Sequence, residues 1–286
     1  MFFEYKHDGR RLDKDSFKKY FLKKLKKNLK IKKDSKVLIC LSGGKDSIAL
    51  LYAIKELFPD LYLIGLYVDE GIEEHSEIME KRVKKYCEDR VNSMIYKSFK
   101  EFFGLSLPEI EERIRRKNKN LSPCTFCTIV KRRIIDHQAM DLGVDLILTG
   151  HILDDYVVSS LINLYTGNTK RLFRLWSENE LPGLPRKETP LKNFTKEETK
   201  FFCEIHNVDV DYDKCPYKIG IRLDIERHLD ELEAKYPGLK IITYKTFEKL
   251  FYNKSKMSKV KACKICGFPS SGDTCSYCKL KKMVLD

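Results

Sequence analysis

No apolar run in this sequence approaches the roughly 18 residues that a membrane-spanning helix requires. The first ten residues, M-F-F-E-Y-K-H-D-G-R, lack the apolar stretch and small-residue cleavage site of a secretory leader. A reducing, cytoplasmic setting with no membrane partner is therefore expected. In that setting the ten cysteines read as ligands or buried thiols, not disulfides. Histidine offers no metal motif either, because His7, His75, His137, His206 and His228 form no ligand spacing. Internal repeats are absent, and lysine clusters are the only biased tracts, which removes solenoid and low-complexity architectures.

What is present describes a soluble globular chain, 42% apolar and 34% charged. Its 286 residues suit one large domain, or one domain with small additions, and allow a sizeable core. The net charge of +13 is gathered into Lys18–Lys36 and Lys254–Lys282. Basic surface on that scale favours a polyanion, nucleic acid above all, over a merely solvated lysine-rich face.

The densest chemical signal is V-L-I-C-L-S-G-G-K-D-S, Val37 to Ser47. A short β-type run (Lys36 to Leu41) stops at Ser42-Gly43-Gly44, and helical spacing resumes with Ile48, Leu51, Tyr52, Ile54 and Leu57 on one face. Strand, glycine turn and helix start aim free N–H groups and the positive end of a helix dipole at an anion. Gly43 and Gly44 permit unusual dihedrals and close approach. Ser42 and Ser47 add hydroxyls, Lys45 a point charge, and Asp46 a carboxylate suited to Mg2+. The stretch is not G-x-x-x-x-G-K-[ST], since Asp46 follows Lys45. The bland alternative is a glycine turn before an ordinary core helix.

Residues 1–35 read as a polar lead and a basic amphipathic helix carrying Phe17, Tyr20, Phe21, Leu25 and Leu29 on its apolar side. Strands are expected at Leu61–Val68, Val91–Tyr96 and Val144–Thr149. Helices are expected at Glu73–Asp89, Pro108–Lys117, Phe126–Leu142 and Leu153–Tyr165. This alternation predicts an α/β fold, a doubly wound parallel sheet with helices on both faces and ligands beyond the strands' carboxyl ends. Leu181–Leu191 reads as a proline-punctuated extended loop, with Thr195–His206 and Ile221–Lys235 helical beyond it. The expected division is a basic helical segment (1–35), a nucleotide domain (36–215), a helical extension (216–260) and a cysteine module (261–286).

Cys263-x-x-Cys266 and Cys275-x-x-Cys278, in a short segment without a core of its own, read as a tetrahedral Zn2+ site against the alternative of free thiols. Four thiolates leave no open position, so its role is structural and its metal supplies folding free energy. Pro123-Cys124-Thr125-Phe126-Cys127 lies ahead of Lys131, Arg132 and Arg133, a setting that favours thiolate; a helix-end knuckle or half of a redox couple are the alternatives. Cys215, in D-K-C-P-Y, has no partner nearby in sequence and by itself reads as a small buried residue. Cys-Pro also ends ferredoxin-type runs, and three thiolates can hold a cluster with one iron open. Cys40, Cys87 and Cys203 read as core thiols.

S-G-G-K-D-S resembles the pyrophosphate-binding loop of the PP-loop ATP pyrophosphatases. Together with V-D-E-G-I, P-C-T-F-C, G-H-I-L-D-D, the later lone cysteine and the paired C-x-x-C, it resembles the tRNA 2-thiolation enzymes: wobble-uridine and T-loop uridine thiolases and their cytidine-32 relatives. The likeness spans roughly residues 36–280. It implies a Rossmann-like PP-loop fold and ATP-dependent adenylation of the uridine C2 oxygen. AMP and pyrophosphate leave as sulfur is transferred. It implies that Cys124, Cys127 and Cys215 hold a [4Fe-4S] cluster, or that Cys127 or Cys215 carries a persulfide. It implies tRNA as partner, a sulfur donor (sulfide, persulfide or thiocarboxylated ubiquitin-like protein), and a homodimer. One departure is plain: the uridine enzymes begin with a second zinc module, and here the first cysteine is Cys40.

By the same resemblance Gly150, His151 and Asp155 face nucleotide and target base, with Asp155 an acid/base or Mg2+ residue; the bland readings are an N-capping Asp154 and a buried, satisfied His151. Asp69 is expected to border adenine and ribose, or else to close a turn. Lys131, Arg132 and Arg133 are expected to reach RNA phosphates or to face solvent, and Arg186 to meet the nucleotide. The rivals are cytidine-32 thiolation, a tRNA-adenylating PP-loop enzyme that uses an amine, and a non-catalytic zinc-ribbon RNA-binding protein.

Overall fold

A computed structural model describes residues 1–5, 8–32, 34–117, 121–177, 183–211, 215–252 and 261–285. His7, residues 181–182 of the proline-punctuated stretch, residues 212–214 before Cys215, and the lysine-rich link 253–260 lie outside them. The expected polar lead is instead a hairpin, β1 (Phe2–Tyr5) and β2 (Arg10–Asp13), with Tyr5 opposite Arg10 across a turn closed by Gly9 at φ 68°. Asp13 then caps helix α1 (Lys14–Lys27) by accepting from Ser16 N at 2.9 Å. The apolar stripe of α1 is driven into the core: Phe17, Phe21 and Leu25 are fully buried.

Next come β3 (Lys36–Cys40), α2 (Lys45–Leu57), β4 (Tyr62–Asp69), α3 (Glu73–Cys87), β5 (Ser93–Ser98), α4 (Phe99–Phe103), α5 (Leu107–Arg116) and α6 (Pro123–Asp141). After them lie β6 (Leu146–Leu148), α7 (Leu153–Tyr165), α8 (Thr169–Leu175), β7 (Arg186–Glu188), α9 (Lys196–Ile205), α10 (Ile221–Lys235) and α11 (Leu239–Phe251). The main sheet runs β5-β4-β3-β6-β7, with every pairing parallel. Val37, Leu38 and Ile39 are all buried, as a central strand covered on both faces must be. The order reverses between β3 and β6, which fixes the crevice where such folds bind ligands. The stretch read as a loop supplies β7: Arg186–Glu188 pairs with β6 as an edge strand, where flanking prolines are tolerated.

One face of the sheet packs on α1, α2, α3 and α9, with Phe21 stacked on Phe202 at 4.1 Å between ring centroids. Each such aromatic buried contributes roughly 1.5–3 kcal/mol by area removed from water. The N-terminal segment therefore shares this core. A buried Glu198 on α9 also holds it, accepting from Tyr5 Oη at 3.0 Å and from Lys24 Nζ at 2.9 Å. The other face packs on α4, α5 and α6 and, from the far end of the chain, on α12 (Ser276–Leu285), whose Leu280 and Val284 join Leu38, Ile64, Phe126, Val130 and Ile134. Helices α7, α8, α10 and α11 close a third cluster around Trp176, whose Nε1 donates to buried Ser160 Oγ at 2.9 Å. Ahead of α12, β8 (Lys261–Ala262) and β9 (Pro269–Ser270) form a two-stranded ribbon. Among the described residues no helix is long and apolar enough to cross a membrane.

Candidate functional site

The loop after β3 is built by its own side chains. Ser47 Oγ donates to Gly44 O at 2.9 Å and accepts from Ser42 N at 3.2 Å, while Gly44 N donates to Ser42 Oγ at 3.3 Å. Gly43 sits at φ 76°, and a Cβ there would lie 2.6 Å from Met79 O. Its own carbonyl accepts from buried Arg82 Nε at 2.8 Å. The first α-helical bond of α2 runs from Ile48 N to Gly44 O, so the preceding N–H groups point out of the helix end.

Lys45 and Asp46 are not left to solvent. Lys45 Nζ meets Asp46 Oδ1 at 2.5 Å and donates to Thr199 Oγ1 at 2.9 Å, and Thr199 Oγ1 meets Asp46 Oδ1 at 2.5 Å. Burial raises the Asp46 carboxyl, opposed by Lys45 and reinforced by the negative charge of Asp155. Thr199, fully buried on α9, is a site residue that sequence reasoning missed. Only the capping box Thr195–Glu198 marked that helix, and no motif singles out its fourth residue.

The turn after β6 is pressed against the same helix end. A Cβ on Gly150 would lie 2.9 Å from Ser47 N and 3.0 Å from Ser47 Cα, so only glycine allows the two loops to meet. His151 is exposed rather than buried, with Nδ1 3.1 Å from Thr149 Oγ1. The bland reading also had the wrong aspartate: Asp155 Oδ2 caps α7 by accepting from Ile152 N at 3.1 Å. Asp154 accepts from Lys240 Nζ at 2.7 Å and from Lys196 N at 3.1 Å, tying α7 to the helical extension. Asp69 Oδ1 accepts from Gly71 N at 2.7 Å and closes the turn after β4.

Cys124 and Cys127 lie inside the first turns of α6, which starts three residues earlier than its apolar period suggests because Pro123 occupies its first position. The segment after Cys215 folds over them, since Cys124 Sγ donates to Tyr217 O at 3.6 Å. Burial first, then the neighbouring Cys215 and Cys124, pushes the Cys127 thiol up to about 12. Lys131, one turn further along, pairs with Glu70 in the turn after β4. Burial lowers its ammonium to about 8, opposed by Cys215, Cys40 and Asp69. Cys40 is half-buried and packs against the core on the face that carries α4, α5 and α6. The three thiols thus act on one another, Cys124 and Cys215 both raising Cys127. Their donor set, all sulfur with no imidazole or carboxylate among the three, suits an iron–sulfur group, whose cube is wider than a single ion.

The tail quartet is tighter. The sulfurs of Cys263, Cys266, Cys275 and Cys278 all lie within 4.8 Å of one another, and among the described residues this is the one such set compact enough for a single ion. Cys266 Sγ and Cys275 Sγ are 3.7 Å apart, close to the edge of a tetrahedron with roughly 2.3 Å metal–sulfur bonds. All-thiolate ligation fits Zn2+.

Two arginines depart from expectation. Arg133 is 8% exposed and turned beneath the tail, its Nη2 2.8 Å from Cys266 Sγ and 3.3 Å from Cys275 Sγ, so it does not reach for RNA phosphates. Arg186 donates to Lys30 O at 2.7 Å and pairs with Glu188 at 3.0 Å, away from the nucleotide loop. Arg132 alone of the K-R-R run is exposed.

Residues 17–219 match the family described as a PP-loop domain. A probable sulfurtransferase of Methanocaldococcus jannaschii is 34% identical over 99% of this chain and 86% of its own length. The tRNA-5-methyluridine(54) 2-sulfurtransferase of Pyrococcus horikoshii is 33% identical over 96% of this chain and 89% of its own. In structure, the U34-tRNA thiolase NcsA from Methanococcus maripaludis, solved with its [4Fe-4S] cluster, superposes with a TM-score of 0.83 at 28% identity, covering 98% of this chain and 92% of that one.

Proposed function

This chain belongs to the PP-loop family, on its tRNA 2-thiolation branch, and from that premise we propose that it is a cytoplasmic tRNA 2-thiouridine synthetase. The observation that carries the reading is the Gly150 turn pressed on Ser47 of the glycine loop, supported by Cys124 and Cys215 lying near enough to Cys127 to raise its thiol.

The N–H groups of the Ser42–Ser47 loop and of the α2 start bind the ATP phosphates. Asp46, with Asp155 close enough to feel its charge, would hold Mg2+, which would supply charge neutralisation for the phosphates alongside Lys45. A uridine swung out of its stack presents O2 to the α-phosphorus, and pyrophosphate departs. The P–O bond to O2 turns that oxygen into a leaving group. Attack of sulfur at C2 then forms the C–S bond as AMP leaves. Cys124, Cys127 and Cys215 would hold the [4Fe-4S] cluster, which would supply the nucleophilic sulfur. Lys131, pinned between Glu70 and the thiols, offsets the negative charge that develops there. Catalysis rests mainly on positioning and charge neutralisation. Sulfur enters as sulfide, from a thiocarboxylated protein, or from a persulfide whose outer sulfur is released as a second thiol forms a disulfide with the inner one, and the working form is a homodimer.

The test is nucleoside mass spectrometry, with fragment mapping, of tRNA from cells lacking the protein. Loss of 2-thiouridine at one mapped position is expected; an unchanged thionucleoside profile rejects the assignment. An amine-using adenylating enzyme has no need of the three thiols, so iron and sulfide analysis after anaerobic purification separates that rival.

A further inference from the structure

Arg133 reaches from the helix of Cys124 and Cys127 to Cys266, 133 positions further along the sequence. It stands on α6, six residues beyond Cys127 and on the face that buries Phe126, Val130 and Ile134. Its guanidinium donates to Cys266 Sγ at 2.8 Å and Cys275 Sγ at 3.3 Å. The carbon of that group lies 3.7 Å from the Phe268 ring centroid and 4.9 Å from that of Tyr277, both aromatic rings of the tail module. Tyr277 in turn packs edge-on against Phe103 at 5.5 Å. One buried cation is thus enclosed almost wholly by the module.

Four thiolates around a dication carry a net charge of −2. A guanidinium bonded to two of them removes part of that charge and fixes their orientation, as outer-shell donors do at metal sites generally. The dependence runs both ways. A buried cation is costly without strong acceptors, so Arg133 is best satisfied when the quartet is gathered on its metal. Coupling between two such equilibria is reciprocal: metal seats the helix, and the seated helix tightens the metal. Below Arg133 the contact continues through apolar packing, because Leu280 and Val284 of α12 share a cluster with Phe126, Val130 and Ile134 of α6.

We infer that Arg133 is a positioning residue through which metal occupancy of the Cys263–Cys278 module sets the seat of α6, and with it the placement of Cys124 and Cys127. The coupling of module to helix stands on this geometry alone, and its consequence for sulfur transfer rests on the function proposed above.

The experiment uses the full chain, zinc-loaded or stripped by chelator. Zinc affinity is read by competition with a chromophoric chelator, and hydrogen–deuterium exchange is followed over residues 124–141. Arg133→Met is expected to weaken zinc about 10–100-fold and to bring exchange in α6 of the loaded protein to the rate of stripped wild type. Arg133→Lys keeps the charge without the planar group that lies over Phe268 and Tyr277, and should fall between the two. Iron taken up in anaerobic reconstitution should drop in step with α6 protection. Wild-type zinc affinity in both variants overturns the inference, and so does unchanged α6 exchange in stripped wild type. If Arg133→Met does not fold, Arg133→Lys and the stripped wild type decide alone. None of these readouts depends on whether the chain thiolates RNA.

Discussion

The two cysteine sites of this molecule are opposites in construction. In the tail, Cys275 N donates to Cys263 Sγ at 3.3 Å, Cys278 N to Cys275 Sγ at 3.4 Å, and Arg133 to two sulfurs. The hydrogen bond from Cys275 N holds the Cys263 thiol below its usual range, while burial raises Cys275 and Cys278. In the cleft no comparable donor is found among the described residues. Cys124 gives its own proton to a carbonyl, and burial pushes Cys127 up to about 12. The tail sulfurs are thus met by hydrogen-bond donors, whereas among the described residues those of the cleft are not.

The sharpest way to break that contrast is a pair of substitutions. Cys275→Ser should lose the tail metal, whose binding in small zinc modules is worth on the order of 10 kcal/mol, and should release α12 from the core with a large drop in melting temperature. Cys127→Ser should keep one zinc per chain and melt within about 2–4 °C of wild type, a change near 1 kcal/mol for a domain of this size, yet lose iron and thiolation. Equal melting losses in the two would erase the distinction. Next in size, Cys215→Ser should abolish thiolation while tRNA affinity and zinc content stay at wild-type levels; full anaerobic activity in that variant sinks the role of the three thiols. Gly150→Ala should act differently again, by overpacking against Ser47 at a cost of about 1–3 kcal/mol. Calorimetry should show weaker ATP binding with iron and zinc both intact. The smallest effect belongs to Thr199→Val, which removes a hydroxyl bonded to Lys45 and Asp46 and should weaken ATP binding by roughly 0.5–1.5 kcal/mol.

The sheet and its switch point were legible because buried parallel strands are continuous apolar runs, and Val37–Ile39 and Leu146–Leu148 can be nothing else. The glycine loop was legible for a similar reason: few chemistries need those residue types in that order. The hairpin at Phe2–Asp13 was not, since its strands are four residues each and only one of the eight positions is fully buried. Strand β7 hid among prolines because an edge needs only three residues to pair. The K-R-R run shows a further limit. Successive helix positions are about 100° apart, so three neighbours cannot share one task. Lys131 faces the cleft, Arg132 solvent and Arg133 the tail. Sequence supplies the charges, and only the helix's setting says what each one meets.

The packing of Leu280 and Val284 against Leu38 and Ile64 also imposes an order of assembly. While the chain emerges from a ribosome, the face of the sheet bearing α1, α2, α3 and α9 has all its parts once residue 210 is out. The opposite face must wait for the residues around 284. A chain whose four tail cysteines are not gathered has one half complete and the other still waiting for its last helix. Such chains would be targets for proteolysis during synthesis rather than after it.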